Sequence, residues 1–269
     1  MKPESGPKAR QFIEGLAVLG RYHFDSAEAQ AALGETAAKF ALSRLAKQGA
    51  IASPARGFYV IVPPEYRALG CLPADQFIPA LMKKLGVAYY AGLLTAAQYH
   101  GAAHQRPQEF QVFLERRRPP IECGKVRVSF MIRKRLPEVL VQDLNTPRGA
   151  LLVSTPEATA VDLVGYQFRA GGLDQVATVL SELAEKLDPA RLAAAATAAI
   201  PWAQRLGYLL ERVGASDKVA PLKEYVRARV HESALLVPSV RRPRATRTEN
   251  LSRDDDWKLY INANVEPEL

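Results

Sequence analysis

SAEAQAALGETAAKFALSRLAKQGAIASPARGFYVIV, residues 26–62, holds two helical patterns, a glycine turn between them and a hairpin behind them. Ser26 is a helix-capping residue type ahead of the Ala-rich run 27–33. Gly34 tolerates the left-handed backbone that a tight turn between helices needs. A second helix is expected over about 36–48, closed by Gly49. An apolar stretch, a turn at Pro54-Ala55-Arg56-Gly57 and an alternating strand over 58–62 complete a hairpin. Two helices at a sharp angle followed by a β-hairpin predict a winged helix-turn-helix, a fold element that goes with DNA binding.

Wheel arithmetic on the second helix sharpens this. At roughly 100° per residue, Ala38, Ala41, Leu42 and Leu45 share one side. Thr36, Phe40, Ser43 and Lys47 form the opposite stripe, with Lys39 and Arg44 at its margins. A helix in the major groove wants that split, small and apolar inward, hydroxyls and cations outward. Phe40 on the outer stripe has two readings, contact with a thymine methyl or packing on a neighbouring helix or the wing. Arg56 at the hairpin tip is a candidate phosphate or minor-groove contact. An ordinary solvated face accounts for the cations taken alone.

Outward from this stretch, 269 residues favour two domains with ample core. An apolar share of 48% and a charged share of 24% describe a soluble globular chain. The net charge of +8 and a pI near 9.5 suit a polyanionic partner. Residues 1–62 account for +3 of that charge, so a second basic surface is expected further on. Cys71 and Cys123 are far apart in sequence, no signal segment opens the chain and no apolar run reaches membrane-spanning length. A reducing cytoplasm with free thiols, and no membrane partner, is the expectation.

The fold class expected is mixed α/β (α+β): a winged helix-turn-helix over residues 1–62, a linker over 63–73 begun by Pro63-Pro64, and a larger α+β domain over 74–269. A first helix over about 8–19 completes the small domain. In the larger one, helices are expected over 74–85 and 87–100, strands over 110–114, 126–132 and 151–153. Thr155 and Pro156 read as N-cap and first residue of a helix over 157–168. Further helices fit 173–187, 189–199 and 202–213, and residues 241–256 read as an exposed loop. The closing stretch 257–265 alternates strictly and predicts a nine-residue strand with one buried face.

These stretches resemble the AbiEi-type antitoxins of abortive-infection toxin–antitoxin systems. The likeness rests on the wing strand RGFYVI (56–61), YYAGLLTAAQYHGAAHQ (89–105) followed by FQVFL (110–114), LLVSTPEATAVDLV (151–164) and WKLYINANVE (257–266), in that order. The resemblance implies a division of labour. The N-terminal domain represses the operon by binding promoter inverted repeats in double-stranded DNA. The C-terminal domain neutralises a nucleotidyltransferase-like toxin. The alternative is a stand-alone winged-helix regulator whose C-terminal domain senses a ligand or another partner.

Other constellations carry less. His100 and His104 have zinc-like spacing but neither a third ligand nor a helical Glu beside them, so His100 reads as capping a helix end or bonding a backbone carbonyl. Glu122 and Lys125 fall on opposite faces of an extended segment, Asp254-Asp255-Asp256 reads as a solvated loop, and Gly171-Gly172 lacks the Lys of a phosphate loop. No catalytic residue, metal or cofactor is assigned. The basic runs matter more. Arg116, Arg117 and Arg118 follow one expected strand, and Arg133, Lys134 and Arg135 follow another. They lie at opposite ends if these strands pair antiparallel and converge if they are parallel, where they become candidate toxin or phosphate contacts. Arg241, Arg242, Arg244 and Arg247 form a third group in the expected loop. The oligomeric state stays open between a stable dimer and monomers that pair on DNA.

Overall fold

Asp25 and Glu28 stand three residues apart at the head of an Ala-rich run, the spacing of a capping box. In the computed structural model, which describes residues 5–102, 107–197, 200–238 and 251–267, the box is formed. The Glu28 N–H donates to the Asp25 carboxylate at 3.0 Å, and the Asp25 N–H donates to Glu28 at 2.9 Å. Helix α1 (Ser5–Val18) and strand β1 (His23–Asp25) lead into α2 (Ser26–Leu33), α3 (Glu35–Lys47) and the hairpin β2 (Ile51–Ala55) and β3 (Phe58–Ile61). The cap of α2 is therefore Asp25, one residue before Ser26. Gly34 ends α2 and begins α3 at φ 83°, a backbone conformation that costs glycine nothing. The three strands form an antiparallel sheet in the order β1-β3-β2; β1, with two aromatic neighbours but only three residues, was too short to show a period.

Strand β3 is covered on both faces. Ile61 joins a core with Ala9, Ile13, Phe24, Ala29, Ala38, Ala41, Leu42 and Leu45 from the three helices and β1. Its alternate residues Phe58 and Val60, with Val62 beyond its end, join a second core. There they meet Cys71, Leu72 and the buried face of helix α4 (Ala74–Leu85), Phe77, Ile78, Leu81 and Met82. The second core continues onto a six-stranded sheet through Val112, Leu114, Ile121, Cys123, Val126 and Val128.

That sheet is built from β4 (Tyr89–Ala91), β5 (Phe110–Leu114), β6 (Ile121–Cys123), β7 (Val126–Ile132), β8 (Val141–Thr146) and β9 (Gly149–Ser154), in the order β6-β7-β5-β4-β9-β8. The sequence expectation of one helix over 87–100 gives way here. Tyr89-Tyr90-Ala91 fills the slot between β5 and β9, and only α5 (Leu93–Tyr99) is helical. Aromatic residues suit a buried central strand, and the need for a strand between two others outweighs a helical pattern. Chain contacts cluster into two compact units. One compact unit takes Met1–Ala91, Gln108–Leu136 and Asp143–Leu152, the other Gly92–Pro107, Pro137–Gln142 and Val153–Leu269.

The second unit is mainly helical: α6 (Pro156–Gly165), α7 (Leu173–Leu183), α8 (Pro189–Ala196), α9 (Ile200–Arg212) and α10 (Ala220–Arg229). Thr155 caps α6, its hydroxyl accepting from the Ala158 N–H at 3.4 Å, and Pro156 occupies the first turn. A small sheet closes the unit, with β10 (Ala234–Leu235) parallel and β11 (Ser252–Asp254) antiparallel to β12 (Leu259–Ile261). The terminal strand is shorter than the nine residues expected. The Asp254 carboxylate accepts from the Trp257 N–H at 2.8 Å, turning the chain, and Lys258 sits at φ 50°, which breaks extended geometry. The alternation still decides burial, since Trp257, Leu259 and Val265 are buried. Residues 252–254, expected within an exposed loop, form β11, while Arg241, Arg242, Arg244 and Arg247 lie outside the described residues.

Candidate nucleic-acid interface

Helix α3 separates its faces as the wheel requires. Ala38, Ala41, Leu42 and Leu45 are buried, and Thr36, Lys39, Phe40, Ser43, Arg44 and Lys47 are exposed. Phe40 retains 69% exposure, so most of its ring is not covered by the described residues. An exposed phenyl costs hydration free energy in the free protein that a partner surface would recover. Arg44 and Lys47 lie in the last turn of α3, where cations also complement the helix dipole. Arg56 is exposed in the two-residue turn between β2 and β3, with Gly57 at φ 70° beside it.

The second basic group is assembled by topology. Strands β5 and β7 pair parallel, with Leu114 opposite Ile132, and the Arg133 N–H extends the ladder to the Leu114 carbonyl at 2.9 Å. Both strands therefore end together, and Arg116, Arg117 and Arg118 leave the sheet at the same end as Arg133, Lys134 and Arg135. Arg116, Arg117, Lys134 and Arg135 are exposed. The Arg118 guanidinium lies over the Phe130 ring at 5.7 Å, anchoring that loop by a cation–π contact. This anchor was missed in sequence, because Phe130 comes beside it only through the antiparallel pairing of β6 with β7, in which Ile121 stands opposite Val128. The four exposed cations at this sheet end form a surface suited to an anionic partner, with Arg118 and Arg133 half-buried behind them.

His100 is buried and its Nε2–H donates to the Ser154 carbonyl at 2.7 Å. The Lys186 ammonium donates to the His100 carbonyl. Burial, the larger cause, and the Lys186 charge hold the His100 imidazole below the usual histidine range, so it is neutral near pH 7. Ser154 and Thr159 hydroxyls share a hydrogen bond of 2.7 Å beneath it. This is a structural polar core at the start of α6, where the Thr-Pro-Glu segment was the sequence signal; the ring's partner is a backbone carbonyl. His104 lies outside the described residues. No group of three His, Cys, Asp or Glu fit to hold a metal occurs among the described residues, and no described helix is long and apolar enough to cross a membrane.

The sheet from β4, the converging arginines and helices α5 to α9 fall within one recognisable segment. Residues 90–212 match the model of the AbiEi antitoxin C-terminal domain. That segment is thus similar to an AbiEi-type antitoxin domain, in line with the resemblance of the sequence. The fold is also similar to that in the crystal structure of the RV2827C protein from Mycobacterium tuberculosis. That likeness has a TM-score of 0.67 at 17% identity, over 94% of this chain and 90% of that one. At that identity the likeness speaks for the fold alone. No curated protein matches the chain.

Proposed function

We propose that this protein is a DNA-binding transcriptional repressor and the antitoxin of a toxin–antitoxin pair. Residues 1–62 are read as a winged helix-turn-helix in which α3 enters the major groove and Arg56 on the wing meets the sugar–phosphate backbone. The observation that carries the reading is the division of α3 into a buried apolar face and an exposed face of hydroxyls, cations and Phe40. Lys39, Arg44 and Lys47 position the helix on phosphates, and Thr36, Ser43 and Phe40 address base edges. The antitoxin domain neutralises a nucleotidyltransferase-like toxin, and the cluster of Arg116–118 and Arg133–135 supplies its contact to an anionic surface, on the toxin or on DNA phosphate. The protein acts by binding, and no catalytic residue is assigned to it.

A gel-shift titration on the DNA upstream of its own gene, against random competitor at two salt concentrations, tests the repressor reading. A discrete shift that survives competitor, in two steps, is the expected result, each step one half-site. Loss of all binding under competitor or modest salt would overturn sequence-specific repression and leave neutralisation of the toxin as the function to assay. Co-expression with the neighbouring reading frame then tests the antitoxin half: growth arrest by that product alone, relieved by this protein, is expected.

A further inference from the structure

Cys71 and Cys123 are separated by about fifty residues in sequence, yet the fold sets them face to face. The Lys125 N–H donates to the Leu69 carbonyl at 2.7 Å. Gly124 meets Gly70 so closely that a Cβ on Gly124 would stand 2.3 Å from the Leu69 oxygen and 2.8 Å from the Gly70 Cα. Residue 69 thus faces 125 and 70 faces 124, an antiparallel register whose next pair is 71 and 123. Directly opposed residues in such a pair have the separation a disulfide spans. Gly124, at φ 58°, supplies the turn that lets the two backbones approach.

Both side chains are buried in the same core as free thiols, Cys71 fully and Cys123 with 8% exposure. The Cys71 thiol donates to the Cys123 sulfur, and the backbone N–H of Ser53, in the bulge of β2, donates to it as well. These two donors, the thiol first, hold Cys123 below the ordinary thiol range, while its partner and burial push Cys71 up. Cys123 alone of the two keeps some exposure, so it is the one a small oxidant reaches, with the other in place to resolve it.

We propose that Cys71 and Cys123 form a reversible intramolecular disulfide when the protein meets a peroxide, making this contact a redox-responsive modification site. The Cys123 thiolate attacks one oxygen of hydrogen peroxide and becomes a sulfenic acid, releasing hydroxide, which takes up the proton lost by the Cys123 thiol. The Cys71 sulfur then attacks the Cys123 sulfur, and water leaves with the Cys71 proton. Two thiols give up two electrons and one peroxide becomes two waters. The bond ties the segment after the wing to β6, the strand beside the Ser53 bulge, and a cytosolic thiol pool reverses it.

The test uses the full reduced chain, folded by circular dichroism, exposed to hydrogen peroxide, alkylated and digested for mass spectrometry. The expected product is a peptide pair joining Cys71 to Cys123, lighter by two hydrogens and released by dithiothreitol. The thermal midpoint of the oxidised chain is expected to rise by about 5 °C or more, because the bond closes a loop of roughly fifty residues. In Cys71→Ser, Cys123 is expected to stop at the sulfenic acid and be trapped by dimedone. Full alkylation of both cysteines after peroxide, or cross-links only between chains, would overturn the proposal. The wild-type peptide map decides this even if the variant does not fold.

Discussion

Lys47→Ala removes one of four exposed cations, Lys39, Arg44, Lys47 and Arg56, that α3 and the β2–β3 turn present. Each cation that neutralises a phosphate of B-DNA contributes about −0.9 to the slope of log affinity against log salt. Four such contacts give a slope of about −3.6 per chain, and the variant should show about −2.7. Between about 50 and about 200 mM salt, the intact protein should lose roughly 150-fold in affinity and the variant roughly 40-fold. The loss at fixed salt should be uniform across DNA sequences. Phe40→Ala should behave differently, because an apolar contact with a thymine methyl is worth about 1 kcal/mol, roughly fivefold, only where thymine is present. Ser43→Ala should likewise reorder the ranking among duplexes. Fluorescence anisotropy on the upstream duplex and a panel of base-substituted duplexes, at three salt concentrations, measures all of this. An unchanged slope for Lys47→Ala, or one common factor for all three variants on every duplex, would refute the groove assignment.

Three further outcomes follow from local geometry. Gly207→Ala places a Cβ 2.0 Å from Trp257 Cζ3, so the indole or α9 must shift. The expected cost is about 1–3 kcal/mol in denaturant unfolding, with altered tryptophan fluorescence, and wild-type stability would contradict the packing. His100 has a folded-state pKa below its ordinary 6.5, so its contribution to stability is complete above that value and declines as pH falls through the window beneath it, where the unfolded chain takes up the proton first. His100→Gln should flatten stability against pH below about 6.5, at a cost of about 1 kcal/mol at pH 7 for the altered bond to Ser154, and an unchanged profile would sink the assignment. Asp25→Ala removes the cap of α2 and the 2.7 Å ion pair with Lys84, and thermal unfolding should show a loss of about 1 kcal/mol, with Asp25→Asn retaining most of it.

What could be read from residues alone was what depends on a few neighbours in sequence. The buried face of α3, the bounds of α4, β5 and β7, and the Thr155–Pro156 start of α6 are each written in a local period or a cap, and all appear where those signals stand. Tertiary structure decided what depends on a distant partner. Tyr89-Tyr90-Ala91 is a strand because β5 and β9 leave a slot for one, and the closing strand is cut to Leu259–Ile261 because Asp254 turns the chain and Lys258 leaves extended geometry. β3 carries alternating residues in two cores, a double role that no period-two pattern distinguishes from a strand with one wet face. The parallel pairing of β5 with β7, which gathers six cations at one end, and the register that opposes Cys71 to Cys123 are long-range choices of the same kind. Periodicity tells which side of an element is buried, but hydrogen-bond pairing across dozens of residues tells against what, and in this protein the second basic surface and the thiol pair both hang on that.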